Sequence, residues 1–168
     1  LTIPNMGFEE LTTDERMRCA VESAAFIRRD HQKPWLLACN FINPHDICLR
    51  AIRQFGDDDW ARNILGKSQD ELAALDEALQ MPEGIDEDAF FAELCPPLPE
   101  NHAIQQDEPR AHDAFFTQRP FRAKIRSEWS ERDWRLQRWA YARLTERVDR
   151  QVGVVLDALE ASGQLEHT

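Results

Sequence analysis

A chain of 168 residues, 42% apolar and 30% charged, has the length of one domain and enough apolar side chains to bury a core, which excludes a disordered polymer. The formal net charge of −11 argues against nucleic acid as a partner, because affinity for phosphate backbones comes from Lys and Arg displacing counterions. No apolar run approaches the roughly 20 residues that cross a bilayer, and the opening Leu1-Thr2-Ile3-Pro4 carries neither an initiator Met nor a basic-then-apolar signal pattern, so a membrane is not expected as a partner either.

Taken in chain order, Thr12-Thr13-Asp14-Glu15 predicts a helix start, with Thr12 and Glu15 at capping-box spacing. Met17, Ala20, Val21, Ala24 and Ile27 then recur at three- and four-residue steps and predict an amphipathic helix. After Lys33-Pro34 the run Trp35 to Ile42 is short, largely apolar and bounded by Pro34 and Pro44, as in a strand covered on both faces. From Asp57 to Arg126 the pattern breaks into short pieces. Gln69 to Gln80 and Asp86 to Leu94 read as helices, and the Pro-rich stretch from Cys95 reads as a connector. Ser130 with Asp133 makes a second capping signal, and Trp134, Trp139, Tyr141, Leu144, Val148, Val152, Val155 and Leu159 predict a long helix closed by Gly163. The pairs Glu131–Arg135 and Glu146–Arg150 are expected on its solvent face. A single doubly covered strand needs neighbours for its backbone groups, so the remaining strands of the sheet are expected outside these residues. Uncovered strand edges would favour self-association.

Cys19, Cys39, Cys48 and Cys95 have neither C-x-x-C spacing nor the density of a disulfide scaffold and read as buried thiols. The histidines are scattered, His102 and His112 lie too far apart to share a helix turn as ligands, and Asp57-Asp58-Asp59 reads as a solvated loop, so no metal ligand is assigned in this chain. Trp134 and Trp139 fit a helix core stripe, while Trp60 and Trp129 are open between core and a stacking surface. Asn43-Pro44-His45-Asp46 stands out because it follows the expected strand, and ligands in open α/β sheets bind beyond strand carboxyl ends. A histidine there can donate to an anionic oxygen or move a proton, and Asp46 can orient a ring or meet substrate.

The run from Lys33-Pro34-Trp35-Leu36-Leu37 to Asn43-Pro44-His45-Asp46-Ile47-Cys48 resembles the central segment of the sulfatase family within the alkaline-phosphatase superfamily. The resemblance continues through Leu98-Pro99-Glu100-Asn101, Asp107-Glu108-Pro109, Trp134-Arg135, Tyr141-Ala142-Arg143-Leu144, Val148-Asp149 and Leu156-Asp157-Ala158-Leu159-Glu160-Ala161-Ser162-Gly163, in the expected order. It implies an α/β fold, a segment of a mixed sheet flanked by helices, and one partial catalytic domain. Residues 1–56 would hold a helix, the strand and the His45 loop, residues 57–126 an irregular Pro-rich excursion, and residues 127–168 a long helix leading to a missing strand. It further implies that His45 contacts the sulfate or the leaving oxygen as the catalytic residue, with Asn43 and Asp46 as substrate-binding candidates.

The family nucleophile is a formylglycine made from Cys or Ser in a C/S-x-P/A-x-R motif. Cys95-Pro96-Pro97-Leu98-Pro99 comes nearest but has Pro99 where Arg is required, so Cys95 is rejected as nucleophile. Calcium and formylglycine are expected in the complete enzyme, neither attached to this chain. The complete protein would cleave sulfate esters of a small molecule or glycan, with this chain inactive alone. A phosphodiesterase or phosphonate hydrolase of the same superfamily, and a non-catalytic helical interaction module, are the rival readings.

Overall fold

The computed structural model describes residues 7–168, so the opening Leu1-Thr2-Ile3-Pro4 lies outside the described residues. These divide into two compact units, one of residues 7–44 with 145–168, the other of residues 45–144.

In the first unit α1 spans Met17–Ile27. Its start is closed by Asp14, not by a Thr12–Glu15 capping box: Asp14 Oδ1 accepts the Arg16 and Arg18 amides at 2.9 and 3.1 Å. Ala20, Ser23, Ala24 and Ile27 are buried, while Met17 and Val21 are exposed. Small residues rotate the buried face away from the expected stripe. Ala24 and Ile27 pack on Ala158 and Leu159 of the last helix, with Trp35 and Leu37 laid against the cluster.

The expected α/β mixed sheet is not formed: the chain is 62% helix, with no strand among the described residues. Residues 35–42 are extended, yet Trp35, Leu37 and Cys39 are half-buried while Leu36, Ala38 and Asn40 are exposed, Leu36 at 76%. This is the period of two of an extended chain packed on one side, whereas the apolar composition predicted burial on both. A strand also needs a second backbone about 4.8 Å away along several residues. Here a single backbone bond, from the Ile42 amide to the Glu15 carbonyl at 3.1 Å, joins the segment's end to residues before α1.

The second unit holds a 3-10 turn at His45–Ile47, then α2 (Cys48–Phe55), α3 (Asp59–Lys67), α4 (Gln69–Leu79), α5 (Glu87–Ala89, running on through a π turn at Phe90–Leu94), α6 (Ala111–Gln118) and α7 (Pro120–Glu128). The span read as an irregular excursion thus carries α3 to α7, with the Pro-rich stretch after Cys95 as a non-helical connector. Its acidic run is structural: Asp58 caps α3 by accepting the Ala61 amide at 2.7 Å, Asp59 pairs with Arg62 and Asp57 with Lys124. Leu49, Ile52, Ala61, Leu75, Ala78, Ala140 and Leu144 form one core, and Phe90, Phe91, Cys95 and Trp139 another. Trp129 is buried against Trp134, and Trp60 stacks parallel to Phe121, so both serve packing.

The last helix, α8, spans Glu131–Ala161 and supplies a stretch to each unit. At its start Ser130 and Asp133 bond reciprocally, the Ser130 amide to Asp133 Oδ2 at 3.0 Å and the Asp133 amide to Ser130 Oγ at 3.2 Å. Arg135 does not simply decorate the solvent face. It donates to the carbonyls of Phe91, Cys95 and Pro96, closing the π turn. At the other end the Gly163 amide bonds Glu160 O and the Gln164 amide bonds Leu159 O, a Schellman closure with Gly163 at φ +70°.

Denaturant unfolding of variants tests these closures. Gly163→Ala should cost about 1 kcal/mol from φ alone, since open space surrounds its Cβ position. Gly56→Ala should cost more, because its Cβ would stand 2.6 Å from both Ala61 Cβ and the Ile52 carbonyl. Asp133→Ala, which strands the 8%-exposed Arg50, should cost about 2–3 kcal/mol, against under about 1 kcal/mol for Asp76→Ala in the exposed Arg53 pair. Equal costs would remove Arg50 from its place in the packing.

Candidate functional site

The extended segment ends at Asn43 and Pro44, whose peptide bond is cis, and His45 opens the 3-10 turn that continues into α2. His45 therefore follows an extended segment rather than a strand of a sheet, and its exposed ring has no sheet end to face. Asn43 is 6% exposed, and neither its amide nitrogen nor its oxygen has a hydrogen-bond partner among the described residues. Leaving such a group unsatisfied costs about 1–3 kcal/mol, which marks a place where a polar partner fits. Asp46 is 3% exposed and partnered, which turns its carboxylate inward.

His45 differs from His31, His102 and His112 in its freedom. The His31 ring bonds the Phe26 carbonyl and sits against Trp35, His102 lies on Trp134, and His112 pairs with Glu108. His45 Nδ1 lies 3.9 Å from Cys48 Sγ, and Nε2 has no protein partner among the described residues. Burial pushes the Cys48 thiol above its ordinary range, the nearby Asp46 carboxylate raises it further, and Arg122 opposes both. With the thiol as donor, Nδ1 accepts and the proton of the neutral ring sits on Nε2, whereas an Nδ1–H donating to the sulfur leaves Nε2 as acceptor. In the first tautomer an N–H donor faces solvent, suited to an anionic oxygen. It does not make Cys48 a nucleophile, because that role needs a thiolate.

Sequence reasoning singled out His45 and did not place Cys48 beside it. The signal was the i,i+3 spacing from His45 to Cys48, which becomes a shared face only if the turn winds helically. Cys95, rejected on motif grounds, is 3% exposed, and burial raises its thiol against the lowering effect of Arg135. Among the described residues no group of three or more His, Cys, Asp or Glu side chains is placed to hold a metal ion. No helix among the described residues is long and apolar enough to cross a membrane. No protein-family model, curated protein or solved structure matches this chain.

Replacing Cys48 by Ala should move the His45 Nδ1 nitrogen frequency in long-range 15N–1H spectra of the neutral ring, with little change at His31. Unchanged His45 frequencies would show that the thiol does not set the tautomer.

Proposed function

We propose that this chain is part of a sulfuric ester hydrolase, in which His45 donates from Nε2 to the leaving ester oxygen of a sulfated small molecule or glycan. The observation that carries the reading is the exposed imidazole whose Nδ1 lies 3.9 Å from the Cys48 sulfur while Nε2 has no partner among the described residues, at the position where the sequence resembles the sulfatase family. As the sulfur–oxygen bond breaks, negative charge builds on the leaving oxygen, and a donor aimed there gains most at that moment. The orphaned amide of Asn43 supports substrate contact by that side chain, since a polar oxygen would satisfy it. Asp46 is buried and partnered, and its charge adds to burial, the larger effect, in pushing the Cys48 thiol up.

Nothing in this chain supplies the nucleophile or the clamp for the sulfuryl oxygens. These act as a unit with the leaving-group donor, so their separate contributions do not add. A second reading, a non-catalytic helical module, is favoured by the absence of any strand among the described residues and by the separate apolar core within each unit.

The two readings part on experiment. In a complete sulfuric ester hydrolase containing this segment, His45→Ala should lower kcat by about 10²–10⁴-fold for substrates with poor leaving groups, with a smaller change in KM. The 168-residue chain alone should show no calcium-dependent turnover of a chromogenic aryl sulfate, although the ester should perturb the His45 ring resonances. Unchanged kcat in the variant, or an unperturbed ring, favours the helical module.

A further inference from the structure

The first unit contains a sulfur pair that the sulfatase reading does not use. Cys19 lies on the buried face of α1, one helical turn before Ser23, and Cys39 lies on the inward face of the extended segment. The Cys39 thiol donates to Ser23 Oγ at 3.2 Å. Burial pushes the Cys19 thiol up, with Ser23 and the Asn40 backbone amide acting against it and Cys39 adding to it. Ser23 therefore links the two cysteines, bonded to Cys39 and one turn of α1 after Cys19. Both thiols are free, Cys19 buried and Cys39 half-buried.

The surroundings give access. A cavity of about 430 Å³ opens along residues 8–15 and 36–40, and its walls include Cys19, Ser23, Leu37 and Asn40. The cavity gives a small polar oxidant a route to Cys19, and half-buried Cys39 keeps part of its own surface in solvent. Cys48 stands beside His45, and Cys95 belongs to the Phe90–Trp139 core, so both are in the other unit.

We propose that Cys19 and Cys39 are an oxidisable pair that closes to a disulfide, fastening the extended segment to α1. With a hydroperoxide as oxidant, the Cys39 sulfur attacks one peroxide oxygen, the O–O bond breaks, and water leaves with Cys39 as the sulfenic acid. The Cys19 thiol, pushed up by burial, first gives its proton to solvent base, and the thiolate then attacks the Cys39 sulfur as the Ser23 hydroxyl swings aside, a step that quickens as pH rises. The S–S bond forms, and the sulfenic oxygen departs as a second water, taking one proton back from solvent. Two thiols and one hydrogen peroxide become one disulfide and two waters. The link restrains residues 35–42, which otherwise rest on packing of one face and the Ile42–Glu15 backbone bond.

The test treats the folded chain with one equivalent of hydrogen peroxide, blocks remaining thiols, and maps linkages by mass spectrometry after cleavage on both sides of the Asn43–Asp46 stretch, which separates Cys39 from Cys48. The expected result is a Cys19–Cys39 cross-link at least about tenfold over any other pairing, because the two sulfurs are held together only in the folded chain. The denatured chain should give mixed pairings, and the linked chain should unfold at higher denaturant until reduced. Cys19→Ser or Cys39→Ser should abolish the link while Cys48→Ser leaves it. Sulfenic or sulfinic acid at Cys39 without cross-linking, or equal pairing in folded and denatured chains, would overturn the proposal.

Discussion

The buried guanidinium of Arg50 is the constraint around which the unit of residues 45–144 is arranged. Withdrawing such a cation from water costs several kcal/mol unless its donors find acceptors. Arg50 donates to the Asp133 carbonyl at 2.7 Å, the Asp133 carboxylate at 3.1 Å and Gln137 Oε1 at 3.4 Å, with its face over the Trp129 ring. Trp129 donates its indole N–H to Gln54, on the same helix as Arg50. The start of α8 and the body of α2 are joined by one closed set of bonds. Burial pushes the Asp133 carboxyl up, but the Ser130 hydroxyl and amide and the Arg50 charge outweigh it and hold the group below the usual carboxylate range. A lowered folded value means the stabilisation is complete above the ordinary carboxylate range and is lost as pH falls through the lowered one.

Most other charges in this acidic chain do less. Arg53–Asp76, Arg62–Asp59 and Arg132 with Glu87 and Asp88 are exposed pairs, and such pairs contribute little once screening and side-chain entropy are counted. Arg126 grips Glu108 through both oxygens and holds its carboxyl down to about 2, tying the Pro-rich connector to α7. That contact fixes a path for a segment whose own composition favours extended geometry.

The helices were legible where a cap and an apolar period coincided. Ser130, Asp133 and Gly163 bound α8 as their spacing suggests, and Gln69–Leu79 and the Asp86 cap appear where the pattern put them. Helices α2, α3, α6 and α7 were not legible, because the buried faces of α2 and α3 are short and broken by Arg50 and Trp60, and α6 and α7 bury no residue. Their helicity comes from tertiary packing rather than from a clean period. Of the candidate site, the position of His45 was legible. Its tautomer was not, since that depends on a thiol three residues away whose protonation is set by burial.

Segment 35–42 is where local pattern and tertiary structure disagree, and the reason bears on His45. A segment buried on both faces must enter a ladder, because its amides and carbonyls have no water to turn to. One with a solvent face has no such requirement, and Leu36 at 76% exposure shows that this segment has one. Its extended shape follows from alternate side chains seeking the α1 and α8 cluster and needs no sheet. The position of His45 is therefore set by the residues on its C-terminal side. The Ile47 carbonyl accepts from Gln137 at 3.5 Å, Cys48 faces the ring, and Arg50 anchors the same helix to Asp133. A ring held in this way is as rigid as α2 is, so the buried cation two residues beyond Cys48 governs where Nε2 points.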